Sequence, residues 1–359
     1  MSKQNTSEFN FNNILRDIEK TASNFAEGLT EAFVGEADSL RDGTEFDPVN
    51  LPRDLYAHKD VQTEWWYYTG HAETKDRKRF GFELVFFKRR TDLDKLGIVP
   101  LRLLGNPIYF AHFAITDYEN EKFSYSHRKS SNGTFDSPAS ASENHFHLRL
   151  GDWSIRESNG NHVLRAAIRE DITFEATLSP KKKFILNGKN KDGVSYKDEN
   201  EASRYFTCPR MDLEGDITQN DETEHFFGSA WMDREFGTWT PTENQKGWDW
   251  FSIQLDNETE LMCYQLRNSL NAVSPYSSGV FVDKNGEFTP LSAKEFTIKP
   301  TGYWKSQRTK TTYPSGWKIK VEKYNLNLSV TPIIEDQELD TRGTTMIVYW
   351  EGALSLIHI

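Results

Sequence analysis

Cysteine is nearly absent from this chain. Its 359 residues include two, Cys208 and Cys263, far apart and outside any CxxC or Cys/His spacing. Neither a disulfide framework nor a zinc site is indicated, and no metal is expected. A basic block is also lacking: 43 Lys and Arg stand against 54 Asp and Glu, for a formal charge of −11. Such a balance speaks against nucleic acid and against anionic membrane surfaces. No apolar run approaches the roughly 20 residues of a membrane helix, and mean hydropathy is −0.70. The start, Met1-Ser2-Lys3-Gln4-Asn5, leads into polar sequence without an apolar signal segment, so the cytoplasm is the expected compartment. GxSxG, GxGxxG, P-loop and HExxH motifs are missing. Nucleotide-linked hydride transfer, nucleotide hydrolysis and zinc proteolysis lose ground accordingly, and no cofactor is expected.

What is present is aromatic. The chain holds ten Trp, and 13% of its residues are Phe, Trp or Tyr. Two runs combine them with acids: Glu64-Trp65-Trp66-Tyr67-Tyr68-Thr69-Gly70 and Gly228-Ser229-Ala230-Trp231-Met232-Asp233-Arg234-Glu235-Phe236-Gly237. Gly247-Trp248-Asp249-Trp250-Phe251 follows the second closely. An apolar aromatic wall disfavours ionisation of a neighbouring carboxyl, and a carboxylic acid kept neutral near neutral pH can donate a proton. The same residues also suit an ordinary core.

The organisation reads as all-β with one helical exception. Phe11, Ile14, Leu15, Ile18, Ala22, Phe25, Leu29 and Phe33 recur at steps of three and four, predicting an amphipathic helix over roughly 10–35. It would pack on the body, meet a partner or, as the minority option, touch a membrane surface; it lacks the basic face that surface binding favours. Residues 1–50 are read as this helix and a linker, and two β blocks follow at 51–203 and 204–353. β-prone runs include Phe80–Phe87, Tyr109–Thr116 and the pair His162–Ile168 and Ile172–Leu178, which predicts an antiparallel hairpin. Asn159-Gly160 and Asp283-Lys-Asn-Gly286 mark hairpin turns, and 186–203 is the best candidate for an internal linker or long loop. Leu354-Ser355-Leu356-Ile357-His358-Ile359 reads like the translation of a transposon-end sequencing adapter and supports no fold argument.

Candidate chemistry centres on Asp233 and Glu235. Two residues apart on a strand, they share a face with Trp231 while Arg234 points away. Paired acids raise one another, leaving one proton donor and one carboxylate. The structural alternative is a salt-bridged strand end with Arg267 as partner. Glu64, Trp66 and Tyr68 share another face, fit for a ligand cavity or for core. Trp248 and Trp250 line either a pocket or a core, with Asp249 opposite. His112, inside an apolar run, reads first as a hydrogen-bonded core residue and second as a ligand contact. Tyr264 would be a phenol donor. The His145/His147 spacing suits a metal, but no third ligand follows from it.

Together the motifs His58…Glu64-Trp-Trp-Tyr-Tyr-Thr-Gly70, Gly81-Phe-Glu-Leu84, Ser229-Ala-Trp-Met-Asp-Arg-Glu235, Gly247-Trp-Asp-Trp-Phe251, Met262-Cys-Tyr-Gln-Leu-Arg267 and Tyr349-Trp-Glu-Gly352 resemble the AttH/CrtC family. That family includes carotenoid 1,2-hydratase, or hydroxyneurosporene synthase. The resemblance runs from about Leu51 to Gly352. It implies two consecutive lipocalin-like antiparallel β-barrels and a hydrophobic small-molecule ligand such as an isoprenoid or polyene. It also implies cofactor-free addition of water to an isolated double bond. The chain departs from the hydratase pattern at Arg234, where His is expected, and in Met262–Leu266, which carries no acid; it resembles the AttH-like branch. Two functions follow from this reading. One is acid-catalysed hydration, isomerisation or cyclisation, with Asp233 or Glu235 as donor, Tyr264 assisting and Trp66, Trp231, Trp248 and Trp250 as cation-stabilising walls. The other is a non-catalytic carrier of a hydrophobic ligand.

Overall fold

The structure, a computed structural model, describes residues 46–92, 95–96, 99–100, 106–131, 138–169, 171–238, 245–268, 270 and 272–358. The predicted N-terminal helix lies outside these residues. Among the described residues there is no α-helix, only strands and short 3-10 turns. In chain order the strands are β1 (Thr63–Thr74), β2 (Arg79–Arg89), β3 (Lys95–Leu96), β4 (Val99–Pro100), β5 (Ile108–Asp117), β6 (Lys122–Ser131), β7 (Ala139–Ala141), β8 (His147–Leu150), β9 (Trp153–Ser158), β10 (Asn161–Ile168), β11 (Ile172–Pro180), β12 (Ile185–Leu186) and β13 (Val194–Tyr196). They continue as β14 (Ala202–Gln219), β15 (Glu222–Gly237), β16 (Gln245–Gln254), β17 (Glu260–Asn268), β18 (Ser278–Val282), β19 (Phe288–Ser292), β20 (Thr297–Pro300), β21 (Tyr303–Lys305), β22 (Thr312–Pro314), β23 (Trp317–Val321), β24 (Leu326–Pro332), β25 (Glu338–Asp340), β26 (Val348–Trp350) and β27 (Leu354–His358).

The first sheet runs β6-β5-β2-β1-β15-β14-β11-β10-β9-β8-β7, with β12 and β13 added along β14. Its ends approach each other, β5 and β6 contacting β8 and β10, so the sheet is a nearly closed barrel. The hairpin read at 162–178 is there as β10 and β11, and Asn159 and Gly160, both with positive φ, turn β9 into β10. The inner face is filled by side chains: Phe82, Phe113, Phe174 and Phe226 pack ring against ring, with Trp66, Trp153 and Tyr68 fully buried around them. The boundary expected at 203/204 falls inside this sheet. β14 and β15 carry Phe206, Met211, Phe226 and Met232 into the same core as β1 and β2. The presumed linker 186–203 contains β13, which pairs with β14.

Two four-stranded sheets follow, β16-β17-β18-β19 and β20-β23-β24-β27. They enclose a second core of Phe251, Ile253, Leu261, Trp317, Ile319, Val321, Leu328 and Val330. The final segment is β27, an edge strand on β24 whose Leu354 and Leu356 pack on that core. A third apolar cluster joins the two parts, bringing Tyr205 and Trp231 of the first sheet against Met262, Tyr264 and Leu266 of β17.

The motif Glu64–Gly70 ends in glycine for a packing reason. A Cβ on Gly70 would lie 2.5 Å from the Ser229 carbonyl oxygen and 2.8 Å from Phe82 Cε1. Gly70→Ala is therefore expected to lower stability by about 1–3 kcal/mol, read from urea midpoints.

Candidate active site

Alternation along a strand sends neighbouring residues to opposite faces, and here both faces of β1 and β15 are covered. On the inner face of the barrel, Glu64 is buried with two cations and an imidazole. Arg234 Nη2 donates to Glu64 Oε2 at 2.5 Å, Lys88 Nζ to Oε1 at 2.8 Å, and His58 Nδ1 lies 3.2 Å from Oε2. Burial alone would raise this carboxyl; Arg234, His58 and Lys88 outweigh it and hold it at about 2. The Arg234 guanidinium stacks on Trp66, 3.9 Å from the ring centroid, and Trp66 Nε1 donates to the Leu55 carbonyl at 2.8 Å. Tyr68 meets His162 Nδ1 through its hydroxyl at 2.7 Å. Glu64, Trp66 and Tyr68 thus form part of the ion-capped core of the barrel.

The outer face carries the acids. Asp233 and Glu235 do share it with Trp231, and Arg234 points the other way. Asp233 is buried and accepts from Tyr205 Oη (2.8 Å), Thr207 Oγ1 (2.6 Å) and Trp231 Nε1 (2.8 Å). Burial pushes its carboxyl up to about 7, against the three hydrogen bonds, and nearby Glu235 adds to the rise. Glu235 has its own cation: Lys197 Nζ lies 2.7 Å away, and Ser203 donates to the same carboxylate. Burial opposes the charge on Lys197, but Glu235 overrides it and raises the ammonium. Lys197 also sits 5.0 Å from the centroid of Tyr264, whose hydroxyl meets Ser195 Oγ at 2.9 Å.

One transverse row of the sheet organises this face. Thr207, Asp233, Tyr67, Val85, His112 and His127 are successive cross-strand partners on β14, β15, β1, β2, β5 and β6. The second part of the chain packs over the row. Trp250 Nε1 donates to Tyr205 Oη at 3.2 Å, and its ring lies edge-on to Tyr67 (5.3 Å) and to Trp231 (6.5 Å). Tyr67 Oη donates to Glu351 at 2.8 Å. Tyr349 Oη donates to Glu83 at 3.1 Å and meets His112 Nδ1 at 2.7 Å. Burial raises the carboxyl of Glu351 to about 7, with Asp233 contributing, and raises Glu83 well above its ordinary range, with Glu351 contributing. His112 is pushed down to about 3 by burial and stays neutral. Trp65, Tyr67, Phe87, Trp250, Tyr349 and Glu351 are all only partly buried.

Other expectations shift. Arg267 does not reach Asp233 or Glu235, which lie on the far side of β17; it faces Asp249 at 3.2 Å, on the side of the second core. Trp248 and Trp250 share the face turned to the first sheet, Trp250 inside the cleft and Trp248 65% exposed at its rim. A shallow pocket of about 70 Å3 at the β1–β2 hairpin end is lined by Lys78, Arg79, Asp117, Glu119 and Glu224 among others, and touches none of these residues. Glu83, Glu351, Tyr349, Tyr205 and Lys197 were not singled out from sequence. Glu83 did leave a trace there, as a lone acid inside the apolar run Phe80–Phe87.

The motifs that converge on this cleft also define the relationship. A model of the AttH-like family matches residues 42–357. The chain belongs to the AttH-like family. An AttH protein from Nitrosomonas europaea is similar in structure to this AttH-like chain, with a TM-score of 0.75, 28% identity, and 87% of this chain and 92% of that one covered. Kievitone hydratase from Nectria haematococca is similar with a TM-score of 0.62 at 16% identity, covering 82% of each chain; at that distance the likeness concerns the fold. No curated protein matches this AttH-like chain. Among the described residues no helix is long and apolar enough to cross a membrane.

Proposed function

We propose that this AttH-like protein is a cofactor-free enzyme that hydrates, isomerises or cyclises a lipophilic isoprenoid or polyene by protonating a double bond. Its parts would be two lipocalin-like barrels meeting at the aromatic cleft. Asp233 is the proton donor, Trp231, Trp250 and Tyr67 face the resulting cation, Tyr264 assists from β17, and Trp248 stands at the entrance. The observation that carries the reading is the carboxyl of Asp233: buried, pushed up to about 7, and held by the Trp231 indole N–H and two hydroxyls with no directly paired cation, while the Trp231 and Trp250 rings lie next to it. An acid that is half protonated near neutral pH is suited to general acid catalysis, and aromatic faces favour positive charge. Glu235, tied to Lys197, is the lesser candidate.

The test uses the whole chain incubated with a hydrophobic extract of its native cells in heavy-oxygen water, with products followed by mass spectrometry. A product gaining one labelled water indicates a hydratase; a new product of unchanged mass indicates an isomerase or cyclase. A ligand that is retained unchanged, with no product formed, would overturn the enzyme in favour of a carrier.

A further inference from the structure

We infer that Glu351 is the base that works opposite Asp233 in this cleft, an assignment that rests on the reading of Asp233 as proton donor. The geometry is independent of that reading. Asp233 and Tyr67 are cross-strand partners on one face, and the Tyr67 hydroxyl holds Glu351 at 2.8 Å, so the Tyr67 ring separates the two carboxyls. Trp250 closes over the Tyr67 ring at 5.3 Å.

The pattern of pairing sets these acids apart. Several other buried acids among the described residues have cations: Glu64 with Arg234 and Lys88, Glu235 with Lys197, Glu260 with Lys182 and Arg210, and Glu338 with Arg308 at 3.7 Å. Among the described residues, Asp233, Glu351 and Glu83 have hydroxyl or indole partners only. Glu83 Oε2 and His112 Nε2, both enclosed, have no partner at all. A row of carboxyls without cations makes a poor structural element, because each ionisation opposes the next. It makes a good proton store. Glu351 is the partly exposed member, whereas Glu83 is 4% exposed. Glu351 can therefore meet a ligand, and Glu83 sits behind it.

The chemistry balances. Asp233 gives its proton to one alkene carbon, the π pair forming the new C–H bond and the positive charge falling on the neighbouring carbon. Either a water oxygen adds to that carbon and sheds a proton, or a C–H beside it breaks to restore a double bond. The Glu351 carboxylate takes the released proton, and its return to Asp233 resets the pair. Around them Tyr205, Thr207, Trp231 and the Glu235–Lys197 pair face Asp233, and Tyr67 and Glu83 with Tyr349 face Glu351.

The test is a pH titration of the ligand-free full chain, carbon-13 labelled at Asp and Glu side-chain carboxyls and followed by NMR. Glu351→Gln should lower the Asp233 midpoint by about one pH unit or more, and Asp233→Asn should do the same to Glu351. Tyr67→Phe, which keeps the ring and removes the hydroxyl, should raise the Glu351 midpoint. An Asp233 midpoint unchanged by Glu351→Gln, or a Glu351 that titrates as an ordinary surface carboxylate, overturns the pairing. In the heavy-oxygen assay, turnover lost in Asp233→Asn but kept in Glu351→Gln overturns the base alone. No turnover in the unaltered protein overturns the donor, and the base with it.

Discussion

Arg234→Ala is expected to lower stability by about 3–5 kcal/mol, the range for breaking a buried ion pair on one side. Arg234 is 0% exposed. Besides Glu64, it donates to the Tyr56 carbonyl at 2.9 Å and the Glu235 carbonyl at 3.1 Å, and it stacks between Trp66 and Phe236. Its loss would leave a buried carboxylate short of its main cation and two aromatic rings without their filler. The pH dependence is a second readout. The Glu64 carboxyl sits at about 2 in the folded chain against an ordinary 4.5. A depressed carboxyl favours folding wherever it is ionised in both states, so its contribution is whole above 4.5 and is lost as pH falls toward 2. At about 1.4 kcal/mol per pH unit, that gap is about 3 kcal/mol. Urea midpoints between pH 6 and 3 should therefore fall more steeply for the unaltered chain than for Glu64→Gln. Equal slopes, or an Arg234→Ala loss below about 1 kcal/mol, would show that the cluster is not what holds this end of the barrel.

The same cluster shows where sequence reading stops. Period-two alternation correctly placed Asp233, Glu235 and Trp231 on one face and Arg234 on the other, because alternation is local geometry. It could not say which face was the inside. β15 is buried on both faces from Ala230 to Gly237, so no polar side marks the outer surface. Glu64, Trp66 and Tyr68 read equally well as cavity or core, and the choice depended on Arg234, 170 residues away in sequence. Arg267 was a reasonable partner for Asp233 by charge alone; β17 turns it away toward Asp249. The boundary at 203/204 falls within β14 for a related reason. A polar stretch looks like a linker, but β14 and β15 had to return beside β1 to complete the sheet, a pairing encoded by no local signal. The acids Glu83 and Glu351 were inside quoted motifs without being read as site residues, since their significance lies in the cations they lack.

Asp233→Asn is expected to abolish most activity and to make the protein more stable. Removing a general acid costs about 10²–10⁴-fold in rate, measured as label incorporation or product formation once turnover is detected. The stability gain follows from the same carboxyl. Asp233 holds its proton to about 7 in the folded chain, where burial disfavours the charge, against an ordinary 3.8. Between those values the folded chain keeps a proton that the unfolded chain has released, so stability falls as pH rises through the window. Above about 7 the folded protein carries a buried charge with no directly paired cation, a burden of up to about 4 kcal/mol at about 1.4 kcal/mol per pH unit. Asn keeps an acceptor for Thr207 and Trp231 and never ionises. Urea midpoints at pH 8 should therefore be higher for Asp233→Asn than for the unaltered chain, and the two should converge near pH 4. A residue placed for folding alone would not be improved by its own neutralisation; one kept for proton transfer would, because the strain that makes it an acid at neutral pH is carried by the folded state. Equal midpoints at both pH values would mean that Asp233 ionises freely, and the proposed donor would fall with that result.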